Sequence, residues 1–212
     1  MSSDEGDSQH PMSPAPDLEP AARRIVELLD DLPDSALDAP TPCADTPVAG
    51  LLDHLMGLAE GLRAAAAKEP DKGVASASAT HLDPHWRTVL PRRLDALVAA
   101  WRDPTAADGI TSAGGIEMPA AEIAVVTLDE LVMHGWDLAR ALGRDYEPHP
   151  ADVPAVLRFT EAFGSAEGVP GLFGPAVSVA DDASPFERAL ANSGRDPSWP
   201  APAPAPAPAP TP

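Results

Sequence analysis

The stretch Glu122-Ile-Ala-Val-Val-Thr-Leu-Asp-Glu-Leu-Val-Met-His-Gly-Trp-Asp-Leu-Ala-Arg-Ala-Leu-Gly143 decides the fold class. Its apolar residues Ile123, Val126, Leu131, Leu138 and Leu142 recur at helical rather than strand spacing, with small residues at Ala124, Ala139 and Ala141 between them. Pro119 suits the first turn and Gly143 the C-terminal stop, so both ends of a long helix are marked. Glu130 and His134 stand four apart, which stacks their side chains on the face that also carries Ile123, Thr127 and Leu138. A carboxylate and an imidazole on an inward face need either each other or a shared cation. Two readings follow from this pair alone: an i,i+4 hydrogen bond, or two of the ligands of a metal.

Working outward, the 212 residues are enough for one domain with a real core. Aromatic residues make up only 4% of the chain while Ala and Pro abound, so the core is expected to be Ala, Leu and Val on closely packed helices. The 14 Lys and Arg against 33 Asp and Glu give a net charge of −19, which repels phosphate backbones and anionic membranes. Neither nucleic acid nor a membrane is expected as a partner, and no apolar run is long enough to span a bilayer. Residues 1–17 are acidic and rich in Pro and Ser, unlike a secretory signal. The single cysteine, Cys43, leaves no intramolecular disulfide, which suits a cytoplasmic location.

Residues 1–16 are too polar to pack and read as a disordered arm, and the Ala-Pro repeat of 200–212 as a disordered, extended tail. Between them, 17–199 read as one helical domain. A first amphipathic helix opens at Asp17 as N-cap and buries Leu18, Ala21, Ala22, Ile25, Leu28, Leu29 and Leu32. A second opens at Thr46-Pro47, carries Val48, Leu51, Leu52, Leu55, Ala59 and Leu62 inward, and runs to about Lys68. A third starts at Asp83-Pro84, with Pro91 predicting a kink or break near Leu90. Residues 103–118 read as a long loop of the kind that covers sites. After the fourth helix come a fifth over 151–163, with Val153, Val156, Leu157 and Phe159 buried, and a short last one over 186–192 capped by Ser184-Pro185.

The second helix contains His54, whose face also holds Gly50, Gly57 and Gly61. Each interior glycine costs roughly 1 kcal/mol relative to alanine, so this face implies either close helix packing or space kept for a ligand beside His54. His81 and His85 are a rival pair at the same spacing, but Pro84 lies between them and they read as exposed residues straddling a helix start. A bundle can set His54 opposite Glu130 and His134. Two imidazoles and one carboxylate are the ligand count of a catalytic zinc site with an open position, and equally of a ferrous facial triad. Asp137, three residues after His134, is a candidate partner for an imidazole N–H.

The segments Thr41-Pro-Cys43, Leu51-Leu-Asp-His-Leu55 and Glu130-Leu-Val-Met-His-Gly-Trp-Asp-Leu-Ala-Arg140 resemble the metal-binding, DinB-like N-terminal domain of mycothiol-dependent maleylpyruvate isomerases. Phe173-Gly-Pro-Ala-Val-Ser-Val179 and Leu190-Ala-Asn-Ser-Gly-Arg-Asp-Pro-Ser-Trp199 are closer to a subfamily known only as metal-binding. The resemblance implies an all-α, DinB-like four-helix bundle, here with a small C-terminal helical extension. It also implies zinc held by His54, Glu130 and His134. The family usually carries a tryptophan shortly after Thr-Pro-Cys, where this chain has Ala44-Asp45-Thr46. Nothing after Gly143 matches the separate C-terminal domain of the isomerases, so maleylpyruvate itself is not the expected substrate.

Two functions are expected to compete. One is a zinc-dependent transferase or isomerase that joins a small-molecule thiol, mycothiol by resemblance, to an electrophilic substrate. The other is a metal-binding or ligand-sensing helical module without turnover. Asp137 and Arg140 are the nearest candidates for a further catalytic group, while Cys43, without a basic neighbour in sequence, is expected only to pack in its Pro-rich turn. A homodimer is the assembly expected.

Overall fold

The computed structural model describes residues 15–73 and 76–200. The expected arm, 1–16, and tail, 200–212, lie almost wholly outside the described residues.

Four helices form the bundle: α1 Glu19–Leu29, α2 Val48–Ala66, α3 Trp86–Trp101 and α4 Ala120–Ala141. α2 packs against α3 and α4, and α1 closes the bundle against α4 and α3. The expected inward residues of α1 are all buried, as are those of α2, which contributes the fully buried Leu51, Leu52 and Leu55. Leu90, Leu94 and Leu97 of α3 and Leu128, Leu131 and Leu138 of α4 meet them in one core. Two shorter helices, α5 Val153–Phe163 and α6 Pro185–Asn192, pack on each other, and α5 rests on α4. No helix among the described residues is long and apolar enough to cross a membrane.

Helix starts differ from expectation where a polar residue closes a turn before the helix. Asp17 accepts from the Glu19 amide while Leu18 takes the N-cap position. Asp83 accepts from the His85 amide, and α3 begins at Trp86. Thr46 is not a cap either: its hydroxyl donates to the Ala44 carbonyl, and Pro47 is the N-cap of α2. Pro91 does not break α3. It removes a single hydrogen bond near the helix start, and the buried Leu90, Leu94 and Leu97 hold the helix across it. In α5 only Val156 of the four expected apolar residues is fully buried, because α5 lies at the edge of the bundle, and Phe163 is 45% exposed.

The stretch expected as a site-covering loop contains a hairpin, β1 Ile110–Ala113 paired antiparallel with β2 Ile116–Pro119. Thr111 donates its hydroxyl to the Ala65 carbonyl, tying the hairpin to the C-terminal end of α2, well beyond His54. Gly50 and Gly61, on the glycine face of α2, serve neither of its expected purposes. Gly50 fits against Thr46 and Pro47 of its own N-terminus, while Gly57 and Gly61 line a separate groove with residues 69–73. A side chain at Gly61 would meet nothing within 4 Å.

Candidate metal centre

The packing of α2 on α4 brings His54 to the pair on α4. Glu130 Oε2 lies 3.0 Å from His134 Nε2 and 4.0 Å from His54 Nε2. The two imidazole rings meet edge to face, their centroids 4.8 Å apart. All three ligand atoms lie within 4.8 Å of one another. Ligands held roughly 2.0–2.2 Å from a zinc ion in a tetrahedron stand about 3.3 Å apart, so the donor set fits a divalent ion after small side-chain adjustments.

Behind this triad runs a buried polar chain. His134 Nδ1 lies 2.9 Å from Asp137 Oδ2. Asp137, fully buried, accepts from Arg195 twice, from Nε to Oδ1 at 2.9 Å and from Nη2 to Oδ2 at 2.8 Å. Arg195 Nη1 donates to the Ser193 hydroxyl. The bond to Asp137 fixes the His134 ring so that Nε2 faces Glu130 and His54. Burial alone would lower the His134 pKa, but its bonds to Asp137 and Glu130 outweigh that and push it up to about 10. Burial would raise Asp137, yet the Arg195 guanidinium holds it below its usual range. His54 is lowered, by burial first and by the neighbouring His134 second.

The triad opens on a cavity of about 300 Å³ whose far wall comes from outside the bundle. Gly171, Leu172, Phe173 and Gly174 line it with Gly194 and Arg195. Gly194 sits at φ +84°, so close to Gly174 that a Cβ would come within 2.7 Å of that backbone. The chain after α4, not the 103–118 stretch, therefore covers the centre.

Three lining residues were not expected at the site from the sequence, Cys43 having been assigned only a packing role. Cys43 reaches this cavity: its sulfur and the nearest donors of His134 and Asp137 lie within 4.8 Å of one another. The Thr41 hydroxyl shapes its turn, donating to the Thr46 carbonyl and accepting from the Cys43 amide. Cys43 thus shares the cavity with a basic residue, Arg195, contrary to expectation. The cation at the site is Arg195, not Arg140, which donates instead to the Trp199 carbonyl. The third is Asp129, 3% exposed, whose carboxyl is pushed up to about 8 by burial and then by the charge of Glu130. Only the resemblance of the 173–179 and 190–199 segments to a metal-binding subfamily hinted that anything beyond α4 belonged here.

The family model of the mycothiol maleylpyruvate isomerase N-terminal domain matches residues 18–139, more than half of the chain. This chain belongs to the mycothiol maleylpyruvate isomerase N-terminal domain family. The matched segment runs through α4 to residue 139 and contains His54, Glu130, His134 and Asp137, but stops short of Arg195. Among solved structures, this family member is similar to the mycothiol-dependent maleylpyruvate isomerase, with a TM-score of 0.53, 16% identity, and coverage of 69% of this chain and 70% of that one. A histidine-to-alanine mutant of that isomerase gives a TM-score of 0.51 at 15% identity with the same coverage. At such identities the likeness shows the DinB-like fold. No curated protein matches the chain.

Proposed function

We propose that this protein binds a divalent metal ion, zinc foremost, through His54 Nε2, Glu130 Oε2 and His134 Nε2. We further propose that it acts there with a low-molecular-weight thiol of the mycothiol type, transferring or isomerising a small electrophilic substrate. One observation carries the metal reading. The Glu130–His134 hydrogen bond accounts for those two residues, but His54 comes from a different helix to the same point and stands 4.0 Å from Glu130, too far to share that bond. Convergence of a third donor without a hydrogen bond is what a ligand set requires.

Zinc held by two imidazoles and a carboxylate keeps a position open and, as a Lewis acid, favours the thiolate form of a bound thiol. The protein's own groups prepare that position. His54 is biased toward its neutral, ligating form by burial. Asp137 fixes the His134 ring, and Arg195 fixes Asp137. The wall around Leu172 and Phe173 limits the water that competes for the open position.

A metal-binding module without turnover is favoured by one observation. Arg195, the cavity's one guanidinium among the described residues, is engaged by Asp137 and Ser193 and is not free to hold a substrate anion. Zinc titration of the full chain tests the metal reading: close to one zinc per chain is expected, with a raised Tm, and both should be lost in His54→Ala. A wild-type chain that takes up no zinc rejects it. With zinc bound, thiol-conjugating activity supports the enzyme, and thiol binding without turnover supports the module.

A further inference from the structure

The cavity over the metal position has two unlike sides. His54, Glu130 and His134 stand on the bundle side, while Leu172 and Phe173 line it from a tight turn. The Leu172 amide donates to the Val169 carbonyl across Pro170-Gly171, and Gly171, at φ +79°, takes the corner that such a turn gives to glycine. Val169 and Phe173 then exchange both backbone hydrogen bonds, at 2.8 and 3.0 Å. The buried Phe173 ring stands edge-on to Phe159, their centroids 5.8 Å apart. A turn closed this firmly holds Leu172 in place, although the residue is 36% exposed and lies outside the hydrophobic core of the bundle. The cavity's positive charge, by contrast, is already used. Arg195 is the one Lys or Arg that lines it among the described residues, and Asp137 and Ser193 take its Nε, Nη1 and Nη2. At the metal position, the two charges of a divalent ion are balanced by Glu130 and by a bound thiolate.

We propose that the electrophile taken by this cavity is uncharged and carries an apolar group that packs on Leu172, the specificity-determining residue. This rests on the reading that a metal-bound thiolate meets its electrophile beside His54, Glu130 and His134, and it names the class of that second substrate. A carboxylate on the electrophile would lose its hydration against a leucine with no free cation to replace it, and the chain's net charge of −19 repels it further. An apolar group in the same place covers the exposed leucine instead, and both surfaces leave water.

The test uses the full-length chain loaded with zinc and three hydroxamates, which chelate zinc as anions in place of the thiolate and differ only in the group they carry into the cavity. By calorimetric titration the wild type should bind benzohydroxamate about tenfold more tightly than acetohydroxamate, and 4-carboxybenzohydroxamate no more tightly than acetohydroxamate. Leu172→Arg supplies the missing cation and should reverse the order of the two aromatic probes. Leu172→Ala should weaken benzohydroxamate by roughly threefold to tenfold. Both variants should bind acetohydroxamate as the wild type does, which a merely structural role of Leu172 would not allow. A wild type that binds the carboxylated probe as tightly as its parent, an order unchanged in Leu172→Arg, or variants that weaken all three probes alike overturns the proposal. Normal zinc uptake without discrimination defeats this proposal alone, whereas a chain that takes up no zinc defeats the metal reading and this proposal with it.

Discussion

Gly135 follows His134 directly, and the Tyr146 ring occupies the space its side chain would need: a Cβ there would lie 2.8 Å from the phenolic oxygen and 2.9 Å from Cε2. Tyr146 is itself buried, with Arg24 over its ring, so it cannot swing aside freely. Gly135→Ala is therefore expected to destabilise the fold by roughly 1–3 kcal/mol in urea unfolding, despite the better helix propensity of alanine. Gly61→Ala, on the open groove of α2, is expected to do the reverse and stabilise by up to roughly 1 kcal/mol. A helical glycine looks alike in sequence at both positions, since what sets its role is a neighbour from elsewhere in the chain. The same reason divides the site. His54, Glu130 and His134 could be picked out because helical spacing places two of them on one face and the bundle brings the third opposite. Arg195 could not, because no periodicity links it to Asp137 across a separation of 58 positions. Cys43 lies in an irregular turn, whose course no spacing rule predicts.

Among the elements, the helices were legible because apolar residues repeat along them, and their ends were less so because turn chemistry moved each start by a residue or two. The hairpin was missed for a different reason: its strands are four residues each, and Ile110 and Ile116 point outward, so no inside–outside alternation marks them. The better signal was Gly114-Gly115, two residues with φ of +60° and +81° joining Ala113 to its partner Ile116. Two successive left-handed residues are what a tight hairpin turn requires. Gly115→Ala should strain this turn by roughly 1–2 kcal/mol. Hydrogen exchange should then accelerate at the 110–119 amides and leave α4 unchanged; equal acceleration in both would mean that the hairpin unfolds only with the bundle.

At the scale of the whole molecule, the family segment ends at residue 139, yet the centre it contains is completed by Arg195. A chain cut after residue 143 keeps all four bundle helices and the three candidate ligands but leaves the Asp137 carboxylate without Arg195, with His134 as its one remaining partner among the described residues. Breaking such a pair costs about 3–5 kcal/mol, so the truncated chain is expected to be less stable by at least that much. Asp137→Leu in the truncated chain should recover part of the loss, and no recovery in chemical denaturation would show that α5 and α6 matter only through packing. The ion pair also sets an order of events during synthesis. At about 5–20 residues per second, Arg195 leaves the ribosome about 3–12 s after Asp137. For that interval the nascent bundle holds a carboxylate that has His134 but not its guanidinium partner, so its final docking waits on the last part of the described chain to be translated.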